Sequence, residues 1–228
     1  LNEIAKQTKQ VAALVGCPRK NPVKEGKDLF NSAFFLFEGE VKHVTDKTLL
    51  PVYDVFDELR YFEPNNKFEV FEFKGQKLAI CEDIWNVGND NPMYLSCPME
   101  ELTKQSPDII INLSASPFSY VQHEERMKVI RANVLRYKIP MVYVNQVGAQ
   151  TELIFDGGSV VVNEKGGTVE QLKFFEEEIV VAEVSSGSRQ RQLPITNHQS
   201  LIYSALVLGI RDYFNKLGFK KAILGLSG

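Results

Sequence analysis

The chain is poor in the residues that staple small folds together. It holds three cysteines, three histidines and one tryptophan in 228 residues. Cys17, Cys81 and Cys97 are an odd set with no Cys-x-x-Cys pair, so disulfide scaffolding and zinc binding are both poor readings and a reducing cytosol is the expected setting. No bound metal is expected. No apolar run approaches the roughly 20 residues that cross a bilayer. The N-terminal Leu1-Asn2-Glu3-Ile4-Ala5-Lys6 lacks the apolar stretch of a signal peptide. Positive charge is not in excess either: 26 Lys and Arg against 29 Asp and Glu leave a net charge of −3. Neither a nucleic-acid nor a membrane partner is expected.

What is present is ordinary for a globular protein. Hydrophobic residues make up 44 % and charged residues 24 %, enough for a substantial core and one large α/β unit. The chain opens without Met, in the middle of an amphipathic helix by its pattern, and upstream sequence is expected to precede it. From about residue 11 to 196, short β-rich runs alternate with turns and two strong helices. Residues 11–16 form an apolar strand closed by Gly, and runs 32–37 and 41–44 flank Glu38-Gly39-Glu40 as a hairpin. Residues 68–73 alternate strictly, and Lys74-Gly75 turns them into the apolar run 77–81. Helices are predicted at 99–105 and 124–138, the second with apolar residues at 127, 130, 134 and 135. Apolar strands are predicted at 108–113 and 140–145. Hairpin-like pairs follow at 154–162 and 169–184. Fully apolar strands joined by helices, mixed with alternating antiparallel pairs, predict two sheets packed face to face with helices outside. Residues 187–194 read as a linker, 198–217 as an amphipathic helix ended by Gly218, and 221–226 as a strand opening a second α/β domain.

Cys81 stands out among the candidates for chemistry. It ends the apolar run Leu78-Ala79-Ile80 and precedes Glu82-Asp83-Ile84-Trp85. A lone cysteine is commonly a buried structural residue. At the end of a strand it is also rigidly held, and the turn beyond offers free backbone N–H groups as oxyanion donors. A thiol that attacks an amide needs a base and a group to hold the oxyanion. The histidines, His43, His123 and His198, lie in no stretch that resembles a site. Lys47 is the better partner, since it follows a strand and opens a loop carrying Tyr53, Phe56, Glu58, Arg60 and Phe62.

Lys47-Thr48-Leu49-Leu50-Pro51, with Tyr53, Val55-Phe56-Asp57-Glu58 and Arg60-Tyr61-Phe62, followed by Cys81-Glu82-Asp83-Ile84-Trp85, resembles the glutaminase domain of the glutamine-dependent NAD synthetases, within the nitrilase superfamily. The similarity continues through Asn112–Phe118, Asn145–Gly148, Glu152–Ser159 and Tyr203–Tyr213. Leu224–Gly228 is similar to the start of the synthetase domain's pyrophosphate loop.

The resemblance implies a nitrilase-type four-layer α-β-β-α sandwich over residues 1–190, without its N-terminal part, and a linker and synthetase-domain beginning over 191–228. It implies Cys81 as the nucleophile that forms a γ-glutamyl thioester and releases ammonia. It further implies Lys47 as the catalytic lysine beside the oxyanion, lowering the Cys81 pKa, with Glu58 orienting it. Tyr53 and Ser116 match glutamine-binding positions, and Glu82 is placed to hold the α-ammonium of the substrate. The implied partners are L-glutamine here and, at a synthetase domain, nicotinic acid adenine dinucleotide and ATP with Mg. No cofactor is expected in the glutaminase part, and association into a homo-oligomer is expected.

Two departures stand against the pattern. Gln122 lies where the family carries Lys or Arg for the α-carboxylate; it can still bind substrate by donating a hydrogen bond but carries no charge, so either glutamine binding is weaker or a neighbour such as His123 or Arg126 substitutes. The family's general-base glutamate falls upstream of Leu1, so the triad is incomplete in this chain, which is expected to be inactive as it stands. Two other readings share the motifs: a stand-alone nitrilase-superfamily amidase or carbamoylase, and a catalytically inactive nitrilase-like assembly or regulatory module.

Overall fold

The structure, a computed structural model, describes residues 1–92, 94, 96–184 and 197–226. Helix α1 (Asn2–Gln7) leads into three strands, β1 (Ala13–Lys20), β2 (Leu29–Phe37) and β3 (Glu40–Asp46). The β2–β3 turn holds Glu38 and Gly39 at φ 51° and 81°, the left-handed pair that a two-residue hairpin needs. After the aromatic loop and a single turn, α2 (Glu58–Tyr61), come β4 (Phe71–Phe73) and β5 (Gln76–Cys81). The next elements are α3 (Pro98–Thr103), β6 (Ile109–Ser114), α4 (Gln122–Tyr137) and β7 (Met141–Asn145). Short strands β8 (Val147–Gln150), β9 (Leu153–Asp156), β10 (Val160–Val162) and β11 (Thr168–Gln171) precede α5 (His198–Leu217).

The two sheets form the expected sandwich. β1-β2-β3 is antiparallel, and the larger sheet runs β11-β10-β7-β6-β5-β4. Alternation along the strands assigns each face its partner. Leu78 and Ile80 pack with Phe35, Leu14 and Ala33 of the smaller sheet. On the opposite face Ala79, Ile110, Met141 and Tyr143 pack under Met99 and Leu102 of α3 and Met127, Ile130 and Val134 of α4. Ala5 of α1 covers Phe34 and Leu36 on the outside of the smaller sheet. The layers are therefore α-β-β-α.

β5, β6 and β7 are mutually parallel, joined across α3 and α4. Their carboxyl ends, at Cys81, Ser114 and Asn145, emerge together on one edge, where open α/β sheets leave a crevice.

Several sequence expectations shift. The alternating run 68–73 yields a strand only over Phe71–Phe73, because Val70 N–H and Phe68 O are taken by the Gln105 side chain instead of a ladder. The 154–162 run is no hairpin: β9 pairs back onto β8, and β10 pairs with β7 and β11. Residues 172–184 add no strand. Leu135 is exposed, and α4 turns Arg126 and Asn133 inward with its apolar residues.

Helix α5 is where the pattern places it. Asn197 caps it by accepting Ser200 N–H at 2.8 Å, and Gly218 ends it at φ 71°. It packs on the β8–β9 hairpin: Ala205 and Leu208 meet Val147 and Ile154, and Asp212 Oδ2 accepts Ala149 N–H at 2.8 Å. The predicted strand 221–226 is absent; this segment has no regular structure and is exposed. The predicted linker 187–194 and the last two residues of the loop-like Leu224–Gly228 lie outside the described residues.

Candidate functional site

At the carboxyl ends of β5, β6 and β7 lies a cavity of about 800 Å³, and all seven residues singled out in the sequence line it: Lys47, Tyr53, Glu58, Cys81, Glu82, Ser116 and Gln122. None of the three histidines does. His43 stacks on Phe71 at 4.8 Å and His123 meets Phe174 edge-on at the same distance, and burial lowers the pKa of both.

Lys47 leaves the end of β3 and points into the cavity between two carboxylates. Its Nζ lies 2.9 Å from Glu58 Oε1 and 2.7 Å from Glu82 Oε2, and its side chain is only 8 % exposed. Burial alone lowers an ammonium pKa, but Glu82, Glu58 and Asp83 reverse this and hold Lys47 above its ordinary value. Glu58 pairs with Lys47, and not with Arg60 or Arg126. Arg60 pairs with Asp57, and Arg126 with Asp156.

Glu82, read from the sequence as a holder of the α-ammonium, faces Lys47. Its carboxylate is engaged by Lys47, where an α-ammonium would have to compete with a fixed cation. Burial raises its pKa, and the neighbouring charges of Asp83 and Glu58 raise it further against the pull of Lys47.

Cys81 shares the face of Ala79, so its thiol turns toward the helix layer and lies 3.6 Å from Met99 Sδ. Its pKa is raised, first by burial and then by Asp83. The expected lowering by Lys47 is thus not realised: the lysine charge is matched by its two carboxylates, while the thiol faces sulfur and apolar carbon.

Sequence reasoning passed over Asp83. Its carboxylate is 3 % exposed and accepts two backbone N–H groups, Thr48 at 2.8 Å and Leu49 at 2.9 Å. These directly follow Lys47, so Asp83 ties the loop that carries the lysine to the turn that carries Cys81 and Glu82. An Asp two residues beyond a candidate nucleophile was the available signal.

The opposite wall is a buried polar network. Ser116 N–H donates to Asn145 Oδ1 at 2.9 Å, and Asn145 Nδ2 donates to Asp156 Oδ1 at 3.1 Å and to Gly157 O at 3.0 Å. Arg126 grips Asp156 through both Nη atoms, at 2.9 and 3.2 Å. Gln122 Nε2 donates to Ser116 Oγ at 3.4 Å. Arg126 is 1 % exposed and so does not stand in for the missing cation at Gln122. Tyr53, half exposed, sits edge-on to Phe56 at 5.7 Å and borders Tyr94, whose hydroxyl burial pushes up to about 12.

Among the described residues, no group of three or more His, Cys, Asp or Glu side chains is arranged to hold a metal ion, and no helix is long and apolar enough to cross a membrane.

The lysine held between two carboxylates and the cysteine at a strand end thus line one cavity. The glutamine-dependent NAD(+) synthetase of Synechocystis sp. is 41% identical over 236 residues, covering 98% of this chain and 42% of that protein. That of Acinetobacter baylyi is 35% identical over 205 residues, covering 87% of this chain and 36% of the relative. The chain therefore spans about two fifths of the length of these relatives. The solved structure of glutamine-dependent NAD+ synthetase from Acinetobacter baumannii, in complex with ADP, superposes with a TM-score of 0.80 at 30% identity, over 95% of this chain and 40% of that one. A carbon-nitrogen hydrolase from Helicobacter pylori shares the fold, with a TM-score of 0.67 at 21% identity, over 97% of this chain and 75% of that one. Residues 1–192 match the carbon-nitrogen hydrolase family, and with this fold and this cavity the chain belongs to it.

Proposed function

We propose that this chain is the glutamine-hydrolysing part of a glutamine-dependent NAD synthetase. The observation that carries the reading is the single cavity in which Cys81, the Lys47–Glu58–Glu82 cluster and Ser116 meet. Similarity to relatives of that name supports the choice of glutamine as the amide.

In this reading the Cys81 sulfur attacks the γ-carbonyl carbon of L-glutamine and forms a C–S bond. The thiol proton passes to the leaving nitrogen, the C–N bond breaks, and ammonia departs from a thioester. Water then adds to the thioester carbon, the C–S bond breaks, glutamate leaves and sulfur regains a proton. Lys47, held protonated by its carboxylates, has no lone pair with which to take a proton. It acts instead as the fixed positive charge at the oxyanion, alongside the backbone N–H of Glu82. Glu58 and Glu82 on this cavity hold Lys47 in place for that role. Attack also requires the thiol to turn from Met99 toward the cavity.

Tyr53, Ser116 and Gln122 contact the glutamine. The ammonia passes to a synthetase region, where ATP, with Mg, would adenylate the carboxylate of nicotinic acid adenine dinucleotide and release pyrophosphate, and ammonia would then displace AMP to give NAD. The domain division near residue 190, and association of copies, belong to the same proposal.

One observation favours a second reading, an inactive nitrilase-like module: the Cys81 thiol is buried and its pKa raised. A glutamine-mimicking electrophile separates the two by mass spectrometry of the protein that carries this chain. Labelling of Cys81 supports hydrolysis; an unlabelled Cys81 sinks it. Cys81→Ala is expected to abolish glutamine-dependent NAD synthesis and leave ammonia-dependent synthesis intact.

A further inference from the structure

Ser116 is held from beneath by groups that never reach the cavity. Arg126 and Asp156 are each 1 % exposed, and the guanidinium meets the carboxylate in a two-bond fork, Nη2 to Oδ1 at 2.9 Å and Nη1 to Oδ2 at 3.2 Å. The second proton of the same Nη2 is shared between Ser116 Oγ at 3.3 Å and Ser116 O at 3.4 Å, and Nη1 donates to Gly157 O at 3.5 Å. From the cavity side Gln122 Nε2 donates to Ser116 Oγ at 3.4 Å.

A serine hydroxyl has one proton and two acceptor positions. Arg126 and Gln122 fill both acceptor positions, so the proton is left to point at whatever occupies the cavity that Ser116 lines. Such a hydroxyl favours an acceptor on the ligand, a carboxylate or carbonyl oxygen, and disfavours a donor. Arg126 can impose this only while its own orientation is fixed, and Asp156 fixes it. Asn145 locks the corner by bonding both Ser116 N–H and Asp156.

We propose that the buried Arg126–Asp156 pair is a positioning device that sets Ser116 as a hydrogen-bond donor to an acceptor group of the substrate, and so governs substrate affinity without touching the substrate. This rests on the cavity being the amide-hydrolysing site proposed above.

The test is a double-mutant cycle of Ser116→Ala and Arg126→Lys in the protein that carries this chain, read as KM and kcat for glutamine hydrolysis. Alkylation of Cys81 by iodoacetamide, which has no amino-acid portion, serves as a parallel readout. Each single variant is expected to raise KM for glutamine about tenfold, with kcat and the iodoacetamide rate largely retained. The double variant is expected to be no worse than the singles, because both remove one interaction. Should Arg126→Lys fail to fold, Asp156→Glu, which keeps both charges and lengthens one arm, takes its place in the cycle. Multiplying effects, or losses in kcat with KM unchanged, overturn the inference while leaving the glutaminase reading in place. Failure of a glutamine-like electrophile to label wild-type Cys81 overturns both.

Discussion

Asp83 Oδ2 accepts the backbone N–H of Thr48 at 2.8 Å, which fastens the turn after Cys81 to the residue that follows Lys47. The other oxygen takes Leu49 N–H, so one buried carboxylate satisfies two adjacent donors. Asp83→Asn presents an amide N–H to one of them. A cost of about 1–3 kcal/mol is expected for the donor left unsatisfied, measured as a lowered denaturant midpoint with unchanged slope. A larger fall in glutamine turnover than in thermal stability would mark the loosened lysine loop.

Among the described residues, Lys47 is the cation that contacts both Glu58 and Glu82. Lys47→Met leaves two carboxylates facing each other in a poorly hydrated site. Destabilisation of about 3–5 kcal/mol is expected, together with loss of thioester formation. Lys47→Met with Glu82→Gln is expected to recover stability, but not activity, in thermal unfolding and single-turnover assays.

The pH dependence follows from Glu82. Its pKa in the folded chain lies above the ordinary 4.5, so folding favours its protonated form. The stability it contributes is complete below pH 4.5 and falls as pH rises through the raised value. Glu82→Gln is expected to flatten that decline, which paired thermal unfolding curves across the acid-to-alkaline range will reveal. A variant with the same slope as the wild type would place the titration elsewhere.

Gly158 adopts φ +64°, and a Cβ there would lie 2.3 Å from Phe174 Cε1. Gly158→Ala combines backbone strain with a clash against a ring, at a cost of about 2–4 kcal/mol. Chemical denaturation gives the number. Phe174→Leu in the same chain is expected to restore part of it by removing the ring.

Much of the fold was legible because its signals are local. Glu38-Gly39 and Lys74-Gly75 announce their turns, and the apolar runs of β5, β6 and β7 announce strands buried on both faces. The β8–β11 pairings were not legible, since four strands of three or four residues can close into hairpins in more than one register, and only the sheet edge at β7 decides among them. The sequence brought together seven candidate residues that line one cavity. The electrostatics of that cavity were not legible. Which way Cys81 turns depends on strand phase against Met99, and Lys47 proved to be matched by Glu82, a residue read as a substrate contact. The burial of Arg126 and Asn133 had no sequence signal, because a polar residue on a helix is by default solvated and only the packed structure shows these two inside.

The hold of α5 on the β8–β9 hairpin has a mechanical side. Asp212 and Lys216 grip the hairpin at Ala149, and its base pairs Val147 with Asp156. Val147 lies two residues beyond Asn145 and Asp156 directly precedes Gly157, both anchors of the Ser116 corner. The hairpin is thus a short arm, about 7 Å from grip to base, that links α5 to the wall of the cavity.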